Sequence, residues 1–141
     1  MDVNKIKEGL LTVGWYMCAP LDVDENLNYI EPPSYETKPE TEYKYQEWMA
    51  KMRYVSYVGA IKDIINFIDN GTHTMSRELL IHNLHCILGQ VEAMTFCSIS
   101  LCLNDDFIPT KPLNGEEQAV YDFFILPLKE AYLYIKENMK D

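Results

Sequence analysis

Apolar residues recur along this chain at three- and four-residue spacing, and the recurrence is broken by polar, proline-bearing stretches. Over residues 3–18, Ile6, Leu10, Val13 and Met17 share one helical face. Gly9 and Gly14 weaken that segment by about 1 kcal/mol each relative to Ala, and Pro20 ends it. A second helix is bounded by Thr41, a suitable N-cap, and the stop signal Asn70-Gly71. Between them Trp48, Met52, Val55, Val58, Ile61, Ile65 and Ile68 predict one continuous stripe of about seven turns, flanked by Tyr54 and Tyr57. A third helix is expected from Thr74 or Ser76 towards Leu103. Its stripe is Leu80, Leu84, Ile87, Val91, Met94 and Leu101, broadened by Ile81, Leu88 and Ile99. Its last part, residues 95–103, also alternates as a strand would (Cys97, Ile99, Leu101, Leu103), but the unbroken upstream period favours helix. Residues 104–114 read as a loop. Asn114 and Glu117 then form a capping-box pair. They open a fourth helix with apolar face Val120, Phe123, Phe124, Leu128, Ala131, Tyr134 and Ile135. Pro127 lies inside it and predicts a kink near Phe123, while Lys136 and Lys140 suit the negative end of its dipole.

Residues 20–40 differ in kind. Pro20, Pro32, Pro33 and Pro39 push their predecessors out of the helical region, and Asp22, Asp24, Glu25, Glu31, Glu36 and Glu40 make the stretch acidic. It reads as an extended connection whose apolar residues (Leu21, Val23, Leu27, Tyr29, Ile30, Tyr35) lie against something. No internal repeat, low-complexity tract or second domain is evident. The expected fold is all-α: a single-domain four-helix bundle over residues 1–141, with a long acidic, proline-containing connection between helices 1 and 2.

Composition narrows the partners. The chain has 141 residues and a formal net charge of −10, with a pI near 4.7. Direct nucleic-acid binding through phosphate neutralisation needs a basic face, and attraction to an anionic membrane has the wrong sign. The charge is local. Residues 20–50 hold eight acids and two bases, and residues 104–141 hold eight acids and four bases, while the remaining stretches almost cancel. No apolar run reaches the roughly 18 residues that span a bilayer. The stretch 10–19 has the outline of a signal peptide, but Asp2 and Glu8 occupy its leader and Pro20 follows Ala19. Cys86, Cys97 and Cys102 lie in one apolar segment, which with Cys18 predicts small buried hydrophobes in a reducing, cytoplasmic compartment.

Candidate chemistry is sparse. Glu78, His82, His85 and Glu92 fall on one stripe of the third helix. Imidazole and carboxylate could ligate a transition metal, but the stripe lies about 200° from the apolar one, where a solvated face is expected. The weak metal candidates are therefore His82, His85 and Glu78, with no cofactor expected. Cys97 and Cys102 lack CxxC spacing, and Cys86 diverges from neighbouring His85 on a helix. Pro32-Pro33-Ser34-Tyr35 matches a PPxY pattern, whose plain reading is a stiff connector. There is no GxSxG, HExxH or phosphate-cradling glycine loop. Seven aromatics crowd residues 29–57, and Tyr and Trp carry interface hot spots.

The expectation is a non-enzymatic binding module or inhibitor. It would occlude a basic site on a partner protein with Tyr29, Glu31, Tyr35, Glu36, Glu40, Glu42, Tyr43 and Glu47. Phage or mobile-element inhibitors and immunity proteins against nuclease toxins share this composition. The alternatives are a small metal-binding bundle using His82 and His85, and a self-assembling bundle that dimerises through the wide face of its third helix.

Overall fold

The structure, a computed structural model, describes residues 2–18, 23–28, 30, 42–95 and 101–140. The chain is all-α, with no strand among the described residues. Its segments are α1 (Val3–Met17), α2 (Glu42–Arg53), a π-helical turn π1 (Tyr54–Val58), α3 (Gly59–Asn70), α4 (Arg77–Thr95), α5 (Gly115–Val120), a second π-helical turn π2 (Tyr121–Ile125) and α6 (Leu126–Asn138).

Local chemistry explains the boundaries. Asp2 caps α1 by accepting the N–H groups of Asn4 and Lys5. Gly71 ends α3 in the left-handed region (φ 76°), which glycine enters without a Cβ penalty. Ser76 accepts the Leu79 N–H at the start of α4. Asn114 and Glu117 form the reciprocal capping box of α5. The α3–α4 loop is fastened from within, because the buried Asp63 carboxylate accepts the N–H groups of Thr74 and Met75, each at 2.8 Å.

Among the described residues the second half of the chain repeats the construction of the first, which the sequence reading did not detect. Ile6, Leu10, Val13 and Met17 on α1 and Leu80, Leu84, Ile87 and Val91 on α4 are all buried in the same spacing. Each helix leads to a turn of one construction. In the first, the Asp24 N–H bonds Asn28 O and the Leu27 N–H bonds Asp24 O; the Asp24 carboxylate accepts from the N–H groups of Asn26 and Asn28. In the second, Asn104, Phe107 and Ile108 make the same backbone bonds, and the Asn104 side chain accepts from Asp106 and Ile108. Leu27 (φ 63°) and Phe107 (φ 62°) both take the left-handed conformation and are both fully buried. That conformation costs about 1–3 kcal/mol, which burial of a large apolar side chain, worth about 1.5–3 kcal/mol, offsets. A tyrosine hydroxyl then donates to the strained residue's carbonyl: Tyr54 to Leu27 at 2.8 Å and Tyr121 to Phe107 at 3.0 Å. Each tyrosine opens a five-residue π-turn.

Packing crosses between the units. α1 touches α6 and π2, α4 touches α3 and π1, and α1 and α4 also touch each other. Two glycines allow the close approaches: a Cβ on Gly9 would lie 2.6 Å from the Pro127 ring, and one on Gly14 would collide with Leu27.

Several sequence expectations are corrected here. The stripe of the second helix is not continuous. The extra residue in π1 shifts its phase, leaving Val55 exposed and turning Val58, Ile61, Ile64 and Phe67 inward. The third helix is described to Thr95, residues 96–100 lie outside the described residues, and residues 101–103 do not continue it: residues 101–110 form the turn and a bridge between Leu103 and Pro109, because the Asn104 side chain draws the backbone N–H groups into a local turn. The disturbance expected from Pro127 is π2. Its first-unit counterpart, π1, is followed by Ala60 at the register of Pro127, so the fold makes the bulge without a proline after it. Of the stretch expected to be extended, residues 24–28 form the tight turn, and residues 29 and 31–40 lie outside the described residues.

Candidate functional site

The residues expected to bind a partner are described in part. Tyr29, Glu31, Tyr35, Glu36 and Glu40 lie outside the described residues, as does the PPxY pattern, and Glu42 and Tyr43 are placed only by their backbone on α2. Glu47 pairs with the buried Lys51 one turn on, at 3.5 Å. Tyr45 lies beside Trp48 with ring centroids 6.0 Å apart, and Tyr54 and Tyr57 pack against the core.

The polar stripe of α4 does not face solvent throughout. Glu78 and His82 are exposed, but His85 stacks on Phe107 (centroids 4.6 Å apart, planes 15° apart) because the second turn folds over this side of α4. Tyr132, edge-on to His85, donates its hydroxyl to Asp106 at 2.8 Å. Burial pushes the Glu92 carboxyl above its usual range. No three His, Cys, Asp or Glu among the described residues come together as a metal site. Of the cysteines expected to be buried, Cys18 is buried and Cys86 half-buried, but Cys102 is exposed, since it belongs to the second turn and not to a helix. Cys86 lies within 3.4 Å of His82 Nε2, a pairing four residues apart that a search of sequence neighbours passes over. Cys97 lies outside the described residues.

Among the described residues, a concavity runs between α1 and π2. Its first lobe, about 490 Å³, is floored by Leu11, Val23, Trp15, Tyr16 and Phe123, with Asp24 and Glu25 on its rim. A second lobe of about 330 Å³ shares Thr12 and Phe123 with the first and adds Gly9, Pro127 and the acids Glu8, Asp122 and Glu130, with Lys5. Trp15, Tyr16 and Phe123 are 53%, 42% and 47% exposed. Tyr16 holds the set together, edge-on to Trp15 at 5.2 Å, Phe123 at 5.8 Å and the buried Phe124 at 5.3 Å. The Asp24 carboxyl stays below its usual range, chiefly through the Asn28 N–H. Sequence reading placed Phe123 in the core and left Trp15 unassigned. The available signal was Trp15-Tyr16 falling off the Ile6/Leu10/Val13/Met17 stripe.

No protein-family model matches this chain, and comparisons with curated proteins and with solved structures return no match. No helix among the described residues is long and apolar enough to cross a membrane.

Proposed function

We propose that this protein is a non-enzymatic binding module, of the inhibitor or immunity-protein kind, that engages a basic surface on a partner protein. The observation that carries the reading is the segregation of charge. The repeated turns hold Asp24, Glu25, Asp105 and Asp106 at the exterior, whereas residues 51–103 are almost neutral. On this reading α2–π1–α3 and α5–π2–α6 are two continuous rods which, with α1 and α4, make a four-helix bundle. The acidic connection, with Tyr29, Glu31, Tyr35, Glu36, Glu40, Glu42, Tyr43 and Glu47, is part of the binding surface. Complementary charge acts mainly on association rate and partner choice. The test is affinity capture on the tagged chain from its source cells, followed by binding kinetics with the captured protein. A basic partner is expected, whose association rate falls at least about tenfold between about 50 and about 500 mM salt. Reversal of Glu36, Glu40, Glu42 and Glu47 to Lys is expected to slow it further. Salt-insensitive association defeats the reading.

A further inference from the structure

The two-unit construction makes the aromatic groove conspicuous, because the repeat supplies an internal control for what the fold requires. Trp15 and Tyr16 of α1 take the register that Gly89 and Gln90 hold on α4. Phe123, third in π2, takes the register of Ser56 in π1. The second unit folds with Gly89 and Gln90 where the first has Trp15 and Tyr16, and the first folds with Ser56 where the second has Phe123. Gly89 is exposed, with nothing within 4 Å of a Cβ built on it. The rings of Trp15 and Tyr16 in the first unit and of Phe123 in the second are therefore surplus to the repeat. Three large rings half in solvent on one contiguous face mark an interaction surface, and Trp and Tyr are the side chains that supply binding energy there.

The groove also has direction and sign. Its two lobes share Thr12 and Phe123 and follow α1 from Lys5 to Tyr16, a length of about 16 Å, or three helical turns. Glu25 stands at one end and Asp122 and Glu130 at the other, against the single base Lys5. An apolar channel of helical length between acidic rims matches a helix that carries apolar anchors on one face and lysine or arginine beside them. We infer that the groove between α1 and π2 receives a cationic amphipathic helix of a partner protein, with Trp15 and Phe123 as its anchors. The cationic part of this inference rests on the acidic-module reading above.

The probe is a synthetic amphipathic helix of leucine and lysine about three to four turns long, set against a scrambled peptide of the same composition and a version with glutamate for lysine. In a Trp48→Phe background Trp15 is the sole tryptophan, so its emission should shift to the blue on saturation with the leucine–lysine helix. Calorimetry is expected to show Trp15→Ala and Phe123→Ser raising Kd at least about tenfold. Glu25→Lys with Asp122→Lys should weaken binding similarly. Leu79→Ser, which alters an exposed apolar residue of α4, should leave it unchanged. Equal affinity for the scrambled peptide overturns the inference, as does an unchanged Kd for Trp15→Ala. A blue shift that grows with protein concentration in the absence of peptide also overturns it, since a second copy then covers the groove. The two readings separate cleanly. If Trp15→Ala binds the captured basic partner with wild-type affinity, the groove inference falls and the acidic module stands. If the model helix binds the groove but no salt-sensitive partner is captured, the reverse holds.

Discussion

Three helical glycines show how much a single residue's surroundings decide. Replacing an exposed helical glycine by alanine stabilises a helix by about 1 kcal/mol, and Gly89, which faces open space, should deliver that gain. Gly9 should do the opposite. Its added methyl meets Cβ and Cγ of Pro127, a ring that cannot swing aside, and overpacking of this kind costs about 1–3 kcal/mol. Urea unfolding of Gly9→Ala and Gly89→Ala is expected to move the midpoint in opposite directions, with Gly14→Ala following Gly9 because Leu27 fills its place. Read from sequence, the glycines of α1 look like helix weakeners. They are contact points, and a propensity scale has no access to what lies on the other side of a residue.

Among the elements, the turn–tyrosine unit is the recurring device. A left-handed Leu27 or Phe107 is tolerated because its side chain is buried and its carbonyl is satisfied by Tyr54 or Tyr121. Removing the hydroxyl leaves that carbonyl short of a partner, at a cost of about 1–3 kcal/mol. Tyr54→Phe and Tyr121→Phe should therefore both lower the unfolding midpoint. The larger loss is expected at Tyr121, which is buried, while Tyr54 is half-buried with the Lys62 ammonium 3.4 Å from its oxygen. A silent Tyr121→Phe variant would show that the bond does not hold the turn. A phenol is protonated, and so a donor, at neutral pH, and burial pushes the Tyr121 hydroxyl further above its usual pKa. The repeat is written in the chain as Leu-x-Val-Asp-Glu-Asn-Leu at residues 21–27 and Leu-x-Leu-Asn-Asp-Asp-Phe at residues 101–107. It escaped detection because the spacing from turn to tyrosine is not conserved between units: Leu27 to Tyr54 is far longer than Phe107 to Tyr121. A fixed-period comparison loses register across that difference.

At the scale of the whole molecule, acidity shapes stability as well as partners. The Asp24 carboxyl lies below its ordinary value through the Asn28 N–H. That of Glu117 does so through the Asn114 N–H and then the Lys111 ammonium. A carboxylate with a depressed folded-state pKa adds stability above its unfolded value, here 3.8 for Asp24 and 4.5 for Glu117, and loses it as pH falls further. Glu92, raised by burial, works in the other direction. Asp24→Asn keeps the acceptor for the turn, as Asn104 does in the second unit, but cannot be protonated. It should fold normally at neutral pH, and its unfolding midpoint should fall less than that of the wild type between about pH 5 and about pH 3. A variant with an unchanged acid limb would remove Asp24 from the account.

The sequence by itself determined the helical class, the buried face of α1, the capping box of α5 and the glycine stop of α3. Each depends on residues three or four apart along one element, and that proximity is guaranteed by the helix. It also determined where the acids lie along the chain. Only the tertiary structure decided that the two related turns are each tied to a tyrosine that opens a π-turn, that His85 is covered by Phe107, and that Trp15, Tyr16 and Phe123 stand together on one face. Those contacts join residues that are distant in sequence: His85 meets Phe107 when the second turn folds over α4, and Tyr16 meets Phe123 when α1 packs against π2. The π-turns shift each helical register by one residue, so a periodicity extended along the chain assigns Val55 and Phe123 to the core when the folded molecule presents both to solvent.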